Sequence, residues 1–191
     1  MVRPKTRDEI VQVADRLFYE QGFDSTAFAD IAGAVGISRG NFYHHFKTKD
    51  DILAAVIAFR LARTAAMLDG WERNAEAPRE RIRQFIEILI ANEAKIMQFG
   101  CPVGTLCSEL AKLDHPFQPQ AREIFDLFRH WLTRQFVAAG CGEAADRLAL
   151  HILMRSQGVA SLALAYRDEA FVRREVEAAI DWLDQTLAAA V

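Results

Sequence analysis

The side chains best suited to chemistry are gathered in one short stretch, Ser38-Arg39-Gly40-Asn41-Phe42-Tyr43-His44-His45-Phe46-Lys47-Thr48-Lys49. Hydroxyl, guanidinium, amide, phenol, imidazole and ammonium donors follow one another there. From residue 31 to residue 49 there is no acid, and Arg39, Lys47 and Lys49 supply the charge. A local run of donors without carboxylates is a surface for anions, whatever the charge of the whole chain. On duplex DNA such donors could do two things. Arg39 can bond guanine O6 and N7 in parallel, a pairing worth about 1–3 kcal/mol of base discrimination. Gly40 lets backbone approach the duplex or leaves room for a thymine methyl, with Asn41 and His44 facing outward beside it. Tyr43, His45, Lys47 and Lys49 suit phosphate oxygens, which set register without reading sequence.

The elements that must position these residues are legible as helices. Ile10, Val13, Ala14, Leu17 and Phe18 recur at helical spacing, and Gly22 ends that first helix with Phe23 packing beyond it. Thr26 is placed to cap a second, short helix with Phe28, Ile31, Ala32 and Val35 on its buried face. Gly36 permits a tight turn, and Ser38 caps a third helix running to about Phe46. Thr48 caps a fourth, with Asp50 and Asp51 in its positive first turn. Free N–H groups at the helix starts near Thr26 and Ser38 add donors for phosphate. Two short helices joined by a glycine turn, the second one polar, are the parts of a helix-turn-helix, with Ile31, Ala32, Ile37 and Phe42 holding the pair.

These residues carry a resemblance. Thr26, Asp30-Ile31-Ala32, Val35-Gly36-Ile37-Ser38-Arg39-Gly40-Asn41-Phe42-Tyr43-His44-His45-Phe46-Lys47-Thr48-Lys49 resembles the tetracycline-repressor (TetR) family of bacterial regulators, over about residues 6–55. The resemblance implies that the third helix reads an operator through Ser38, Arg39, Gly40 and Asn41. It also implies that Tyr43, His45, Lys49 and Thr26 hold phosphates. Phe28 stands where an aliphatic residue is commoner, Val35 where alanine is, and His44 where an aromatic ring often is.

Beyond residue 50 the helical pattern continues without strands or repeats, so the fold class is all-α. It comprises a three-helix DNA-binding domain over residues 1–50 and a helical effector-binding and dimerisation domain over 51–191. The fourth helix should run to about Trp71. Pro78 begins one ending near Phe99-Gly100, Pro102 starts a short one, residues 120–139 form another, and two more fit 143–166 and 169–189. The net charge of −3 resides in the second part, because residues 1–50 hold seven basic and seven acidic side chains. No stretch approaches the ~20 apolar residues of a membrane span. The basic start Met1-Val2-Arg3-Pro4-Lys5 lacks a following apolar run, so the chain is expected in the cytoplasm. An odd three cysteines argue against a disulfide framework.

Residues 56–191 carry no Walker loop, no G-x-S-x-G and no metal-ligand spacing, so neither an enzyme, a cofactor nor a metal site is expected. A helical body of this size can enclose a pocket. Phe59, Ile96, Met97, Cys101, Thr105, Phe125, Phe128, Trp131 and Met154 are its candidate lining, against the plain alternative that they are core. The resemblance implies that a small-molecule effector bound there releases DNA. Gly100-Cys101-Pro102-Val103-Gly104-Thr105-Leu106 is similar to a segment of one subgroup of the family. Cys101 and Cys107, six apart, would allow a redox switch, against burial as small hydrophobes. Small residues at Ser156, Gly158, Ala160, Ser161 and Ala163, with Val176, Ile180, Leu183 and Leu187 on the last helix, suggest a homodimer interface of four helices. A two-fold dimer suits a palindromic operator. The rival reading is an architectural DNA-binding protein whose second part only dimerises.

Overall fold

The computed structural model describes residues 7–189. The basic start, with Arg3 and Lys5, lies outside the described residues. Ten α-helices follow in order: α1 Arg7–Gln21, α2 Phe28–Val35, α3 Arg39–His45, α4 Lys49–Asn74, α5 Pro78–Ala91, α6 Glu93–Phe99, α7 Pro102–Lys112, α8 Gln118–Ala138, α9 Ala145–Tyr166 and α10 Glu169–Ala188. A 3-10 turn at Gly142–Ala144 precedes α9, and no strand occurs among the described residues. The all-α expectation holds. One expected helix is divided: residues 78–99 break at Asn92, whose backbone leaves helical geometry and whose Nδ2 donates to the Ile88 carbonyl at 2.9 Å. A side chain that bonds its own preceding turn competes with the helix, and here it ends one.

By packing, the chain divides into two compact units at points other than residue 50. One comprises the chain to Arg63 with Thr105–Glu123, the other Thr64–Gly104 with Ile124–Val191. In the first unit, Ile10, Ala14 and Phe18 of α1, Ile31 and Val35 of α2, Phe42 of α3 and Ile52, Leu53 and Val56 of α4 form one core. Leu106, Leu110 and Ala121 complete it from far along the chain. Val11 joins the buried face of α1, whereas Val13 is only half-buried. Arg60, itself buried, donates to Asp15 Oδ1 at 2.5 Å and so ties α4 to α1.

In the second unit Ile82, Phe85 and Ile86 of α5, Trp131, Leu132 and Phe136 of α8, Ala149, Ile152 and Ala160 of α9 and Val172, Val176 and Leu183 of α10 are buried. Two bidentate pairs hold helices together at its surface. Arg129 Nε and NH2 donate to Asp146 at 2.8 and 2.6 Å, and Arg79 Nε and NH2 to Asp184 at 2.6 and 2.8 Å. Such forked bonds fix geometry more firmly than single-point ion pairs.

The guanidinium of Arg129 holds the Asp146 carboxyl below its ordinary value of 3.8, and that of Arg79 does the same for Asp184. Asp51 is held low by the Thr48 backbone and side chain. A carboxyl whose folded pKa is depressed adds stability above its unfolded value and loses it as pH falls through the lower folded value. The thermal midpoint should therefore be level above about pH 5 and fall on acidification below about pH 4. A chain carrying Asp146→Asn and Asp184→Asn should start from a lower midpoint and lose less. A melting series from pH 7 to pH 2.5 on both proteins checks this, and parallel curves would contradict it.

Candidate nucleic-acid interface

α3 has seven residues, too few for a helix to stand alone, and its neighbours make it. Gly36 ends α2 in the left-handed region at φ 72°, and its N–H bonds the Ala32 carbonyl, turning the chain within two residues. Ser38 Oγ then accepts the Asn41 N–H at 3.3 Å and caps α3 as expected. At the far end a full capping box opens α4. Thr48 Oγ1 accepts the Asp51 N–H at 3.0 Å, while Asp51 Oδ2 accepts from the Thr48 and Lys47 N–H groups at 2.8 and 3.1 Å. Between these ends Phe42 is buried inside the domain and Phe46 just past the helix joins it. Ile37 packs on the same core but remains half-exposed.

Burying position 42 turns its neighbours outward. Ser38, Arg39, Gly40, Asn41, Tyr43, His44 and Lys47 are exposed, and His45 and Lys49 are half-buried. The side chains of Arg39, Asn41 and His44 make no hydrogen bond or ion pair among the described residues. Gly40 has open space where a Cβ would stand, so nothing inside the protein requires glycine there. Tyr43 is 48% exposed. Its ring lies nearly parallel to that of Phe28, centroids 5.6 Å apart at 21°, and Phe28 also meets Phe42 edge-on at 5.2 Å. Phe28 is thus a half-exposed platform for Tyr43 rather than a fully buried member of the α2 face. Nothing in the local spacing signals that stack, because the two rings belong to different helices.

The cations divide. Lys47 Nζ donates to the Tyr43 carbonyl at 2.5 Å, closing the last turn of α3. Lys49 Nζ donates to the Asp24 carbonyl at 2.9 Å and sits 4.4 Å from the Phe23 ring centroid. His45 lines an open groove of about 800 Å³ with Arg7, Gln12, Asp51 and Phe59.

Thr26 is a correction. It has no exposed surface, and its hydroxyl donates to the Gly22 carbonyl at 2.7 Å. The N-cap of α2 is Ala27, whose N–H is accepted by Asp30 Oδ2 at 2.7 Å. An acid at the third helical position reaches back where the threonine was expected to reach forward. In this conformation Thr26 touches no phosphate.

The expected pocket residues are divided between the two units. Phe59 and Thr105 belong to the first unit, while Ile96, Met97, Cys101, Phe125, Phe128 and Trp131 belong to the second. Phe128 packs edge-on against Phe85 at 5.5 Å, and Trp131 lies 5.6 Å from Trp71. The buried Trp131 indole N–H has no acceptor. Met154 is 66% exposed.

The expected dimer residues need a larger correction. Ser156, Ala160, Ala163, Val176 and Leu183 are buried within the protomer's own core, Ile180 and Leu187 are half-buried, and Gly158 and Ser161 are exposed. The outward face of α9 is instead Leu150, Met154, Gly158, Leu162 and Tyr166, at four-residue spacing. Both faces of α9 are apolar, so periodicity could not tell inside from outside.

Comparison with known proteins agrees with this geometry. The family model of bacterial regulatory proteins of the tetR family matches residues 10–56, and that of the LmrA/YxaF-like transcriptional regulator C-terminal domain matches residues 78–178. The uncharacterized HTH-type transcriptional regulator YxaF of Bacillus subtilis is 26% identical over 87% of this chain and 89% of its own. An uncharacterized HTH-type transcriptional regulator from the lacX 3' region of Lactococcus lactis is 28% identical, over 63% of this chain and 62% of that relative's length. A crystal structure of a TetR transcriptional regulator from Legionella pneumophila superposes with a TM-score of 0.83 at 28% identity, covering 97% of this chain and 99% of that one.

The inward hydroxyl of Thr26 gives a test of its own. Thr26→Val should destabilise the fold by roughly 1–3 kcal/mol, because it leaves the Gly22 carbonyl short of a donor in a buried setting. It should leave the salt dependence of DNA binding unchanged. Urea unfolding and binding titrations at several salt concentrations measure the two, and a stable variant with a reduced salt slope would restore Thr26 as a phosphate contact.

Proposed function

The chain belongs to the tetR family of bacterial regulatory proteins, and on that premise we propose that it binds a palindromic operator as a homodimer and is released from it by a small molecule. It is a DNA-binding transcriptional regulator and not an enzyme. The observation that carries the DNA reading is the unpaired set Arg39, Asn41 and His44 on a helix whose opposite side is buried. Arg39 and Asn41, with Gly40 between them, read base edges at the N-terminal end of α3, the end that enters the major groove first. Ser38, Tyr43, His45, Lys47 and Lys49 hold phosphates around them. The open space at Gly40 fits close approach of the duplex.

The dimer is formed by α9 through Leu150, Met154, Gly158 and Leu162. Gly158 supports this, since a mid-helix glycine is unfavourable by about 1 kcal/mol and nothing in its own protomer lies within reach of a Cβ there. A second copy of α9 approaching at that point gives the glycine a purpose. The effector site belongs to the second unit, beside Phe128 and Trp131, where the unpartnered indole N–H suits an acceptor atom on an otherwise apolar ligand. The regulator acts where the DNA is, in the cytoplasm.

Arg39→Ala should lower affinity for a selected palindromic duplex by about 1–3 kcal/mol and relax base preference at one position of each half-site. Lys47→Ala should weaken binding to all duplexes alike and reduce the salt slope by about one per site. Competition titrations against random DNA separate these effects. Equal affinity of the wild-type protein for selected and random duplexes would favour the architectural reading.

The double change Met154→Glu with Leu162→Glu should give a folded monomer near 21.5 kDa by light scattering, where the wild type has twice that mass. A dimer that survives both charges would place the interface elsewhere.

A further inference from the structure

We propose that Glu109, on α7, is a positioning residue for operator binding: its carboxylate clamps the loop between α1 and α2 and thereby sets the attitude of the recognition helix. The inference rests on the DNA-binding reading above. Glu109 lies 86 residues from Phe23 in sequence. Its Oε2 accepts the Phe23 N–H at 2.9 Å and its Oε1 accepts the Asp24 N–H at 2.8 Å. Two consecutive N–H groups meet one carboxylate only if the chain turns sharply just before them, and Gly22 supplies that turn at φ 91°. A Cβ on Gly22 would also come within 3.0 Å of Glu109 Oε1. Glycine is therefore required there both for backbone conformation and for the approach of the carboxylate.

Two carbonyls of the loop are engaged as well. The Gly22 carbonyl accepts from Thr26 Oγ1 and the Asp24 carbonyl from Lys49 Nζ. The Phe23 ring packs edge-on against Phe18 and against His115, each at 5.2 Å. His115 Nε2 in turn lies 3.4 Å from Asp50 at the start of α4. Residues 22–24 thus touch the end of α1, the approach to α2, and Lys49, which follows α3 closely. A shift of this loop moves the helix pair at both of its ends.

The chemistry of the clamp separates position from stability. Bonds to a carboxylate are charge-assisted and more directional than neutral ones. The Asp24 bond is exposed and the Phe23 bond only part-buried. When Glu109 is removed, water can satisfy both N–H groups, so the core beneath survives while the loop loses its single conformation. Base contacts depend on placement within about 0.5 Å, so affinity should suffer more than folding.

The test uses the full-length protein and a palindromic duplex selected from random DNA. Glu109→Leu should bind that duplex at least about tenfold more weakly, and Glu109→Gln, which keeps one acceptor oxygen, should fall between it and the wild type. Helical content at the assay temperature should be unchanged in both. The Phe23 and Asp24 amides should exchange faster with deuterium, and the salt slope should stay that of the wild type because no phosphate contact is lost. A merely structural role would lower the melting midpoint and leave the affinity of the folded protein intact. Wild-type affinity in Glu109→Gln, with those two amides exchanging faster, overturns the clamp even if Glu109→Leu does not fold. If the wild-type protein fails to prefer the selected duplex over random DNA, the regulator reading falls first and this inference falls with it. If it prefers that duplex and the variants do too, the clamp alone is wrong.

Discussion

The exposed face of α3, the surface proposed to read DNA, depends on the burial of two rings, Phe42 and Phe46. A seven-residue helix is well short of the ~12–15 residues at which isolated helices become even marginally stable in water. Residues 39–45 are helical because Phe42 is buried in the core that α1, α2 and α4 also build and because side chains close the helix ends. The same burial decides the outward set. With position 42 inside and helical spacing obeyed, positions 40, 41, 43 and 44 turn away from the core, while Arg39 is exposed in the first turn of the helix. Stability and recognition are therefore two results of one packing event. The Phe28–Tyr43 stack extends it, since the ring that orients Tyr43 also meets Phe42.

Much of this was legible in the sequence because it is local. Ser38, Thr48 and Asp51 act over three residues, and Gly36 and Gly22 act on their own backbones, so type and spacing suffice to read them. Thr26 misleads for an instructive reason. A threonine before a helix can reach forward to an N–H or back to a carbonyl, and only the packing around it decides. Here the loop folds the hydroxyl inward, and Asp30 does the capping. Asn92 is the converse case, a polar residue in an amphipathic run that turns out to end a helix. The extent of the first unit was out of reach altogether. Leu106, Leu110, Ala121 and Glu109 contribute to it from far along the chain, and no local pattern announces such contacts.

α9 inverts the usual distribution. Its small residues Ala149, Ser156, Ala160 and Ala163 are buried, while Leu150, Met154, Leu162 and Tyr166 lie outside. Small residues inside let neighbouring helices approach closely. Large apolar residues outside, in a row, leave exposed surface that a single protomer gains nothing by keeping. Reading small residues as an interface therefore selected the face of α9 that the protomer itself buries. Gly158 belongs to the outward face, which is why it is exposed although it was read together with the buried small residues.

Charge explains how a chain of net charge −3 presents a cationic face. The helices of the first unit are not free of acids, but several of their carboxylates are engaged within the fold. Asp30 caps the Ala27 N–H, Asp51 closes the start of α4, Asp15 pairs with Arg60, and Asp50 meets His115. Each of these carboxylates is turned onto backbone N–H groups, a guanidinium or an imidazole, where it contributes to folding. Arg39, by contrast, is left without a carboxylate partner, unlike Arg60, Arg79 and Arg129. A guanidinium already paired would have to break that pair before meeting guanine or phosphate, and an unpaired one does not. The acids that stabilise the helix-turn-helix and the bases proposed to read DNA are thus parts of one arrangement, in which the fold engages several of its carboxylates and leaves Arg39 exposed on α3.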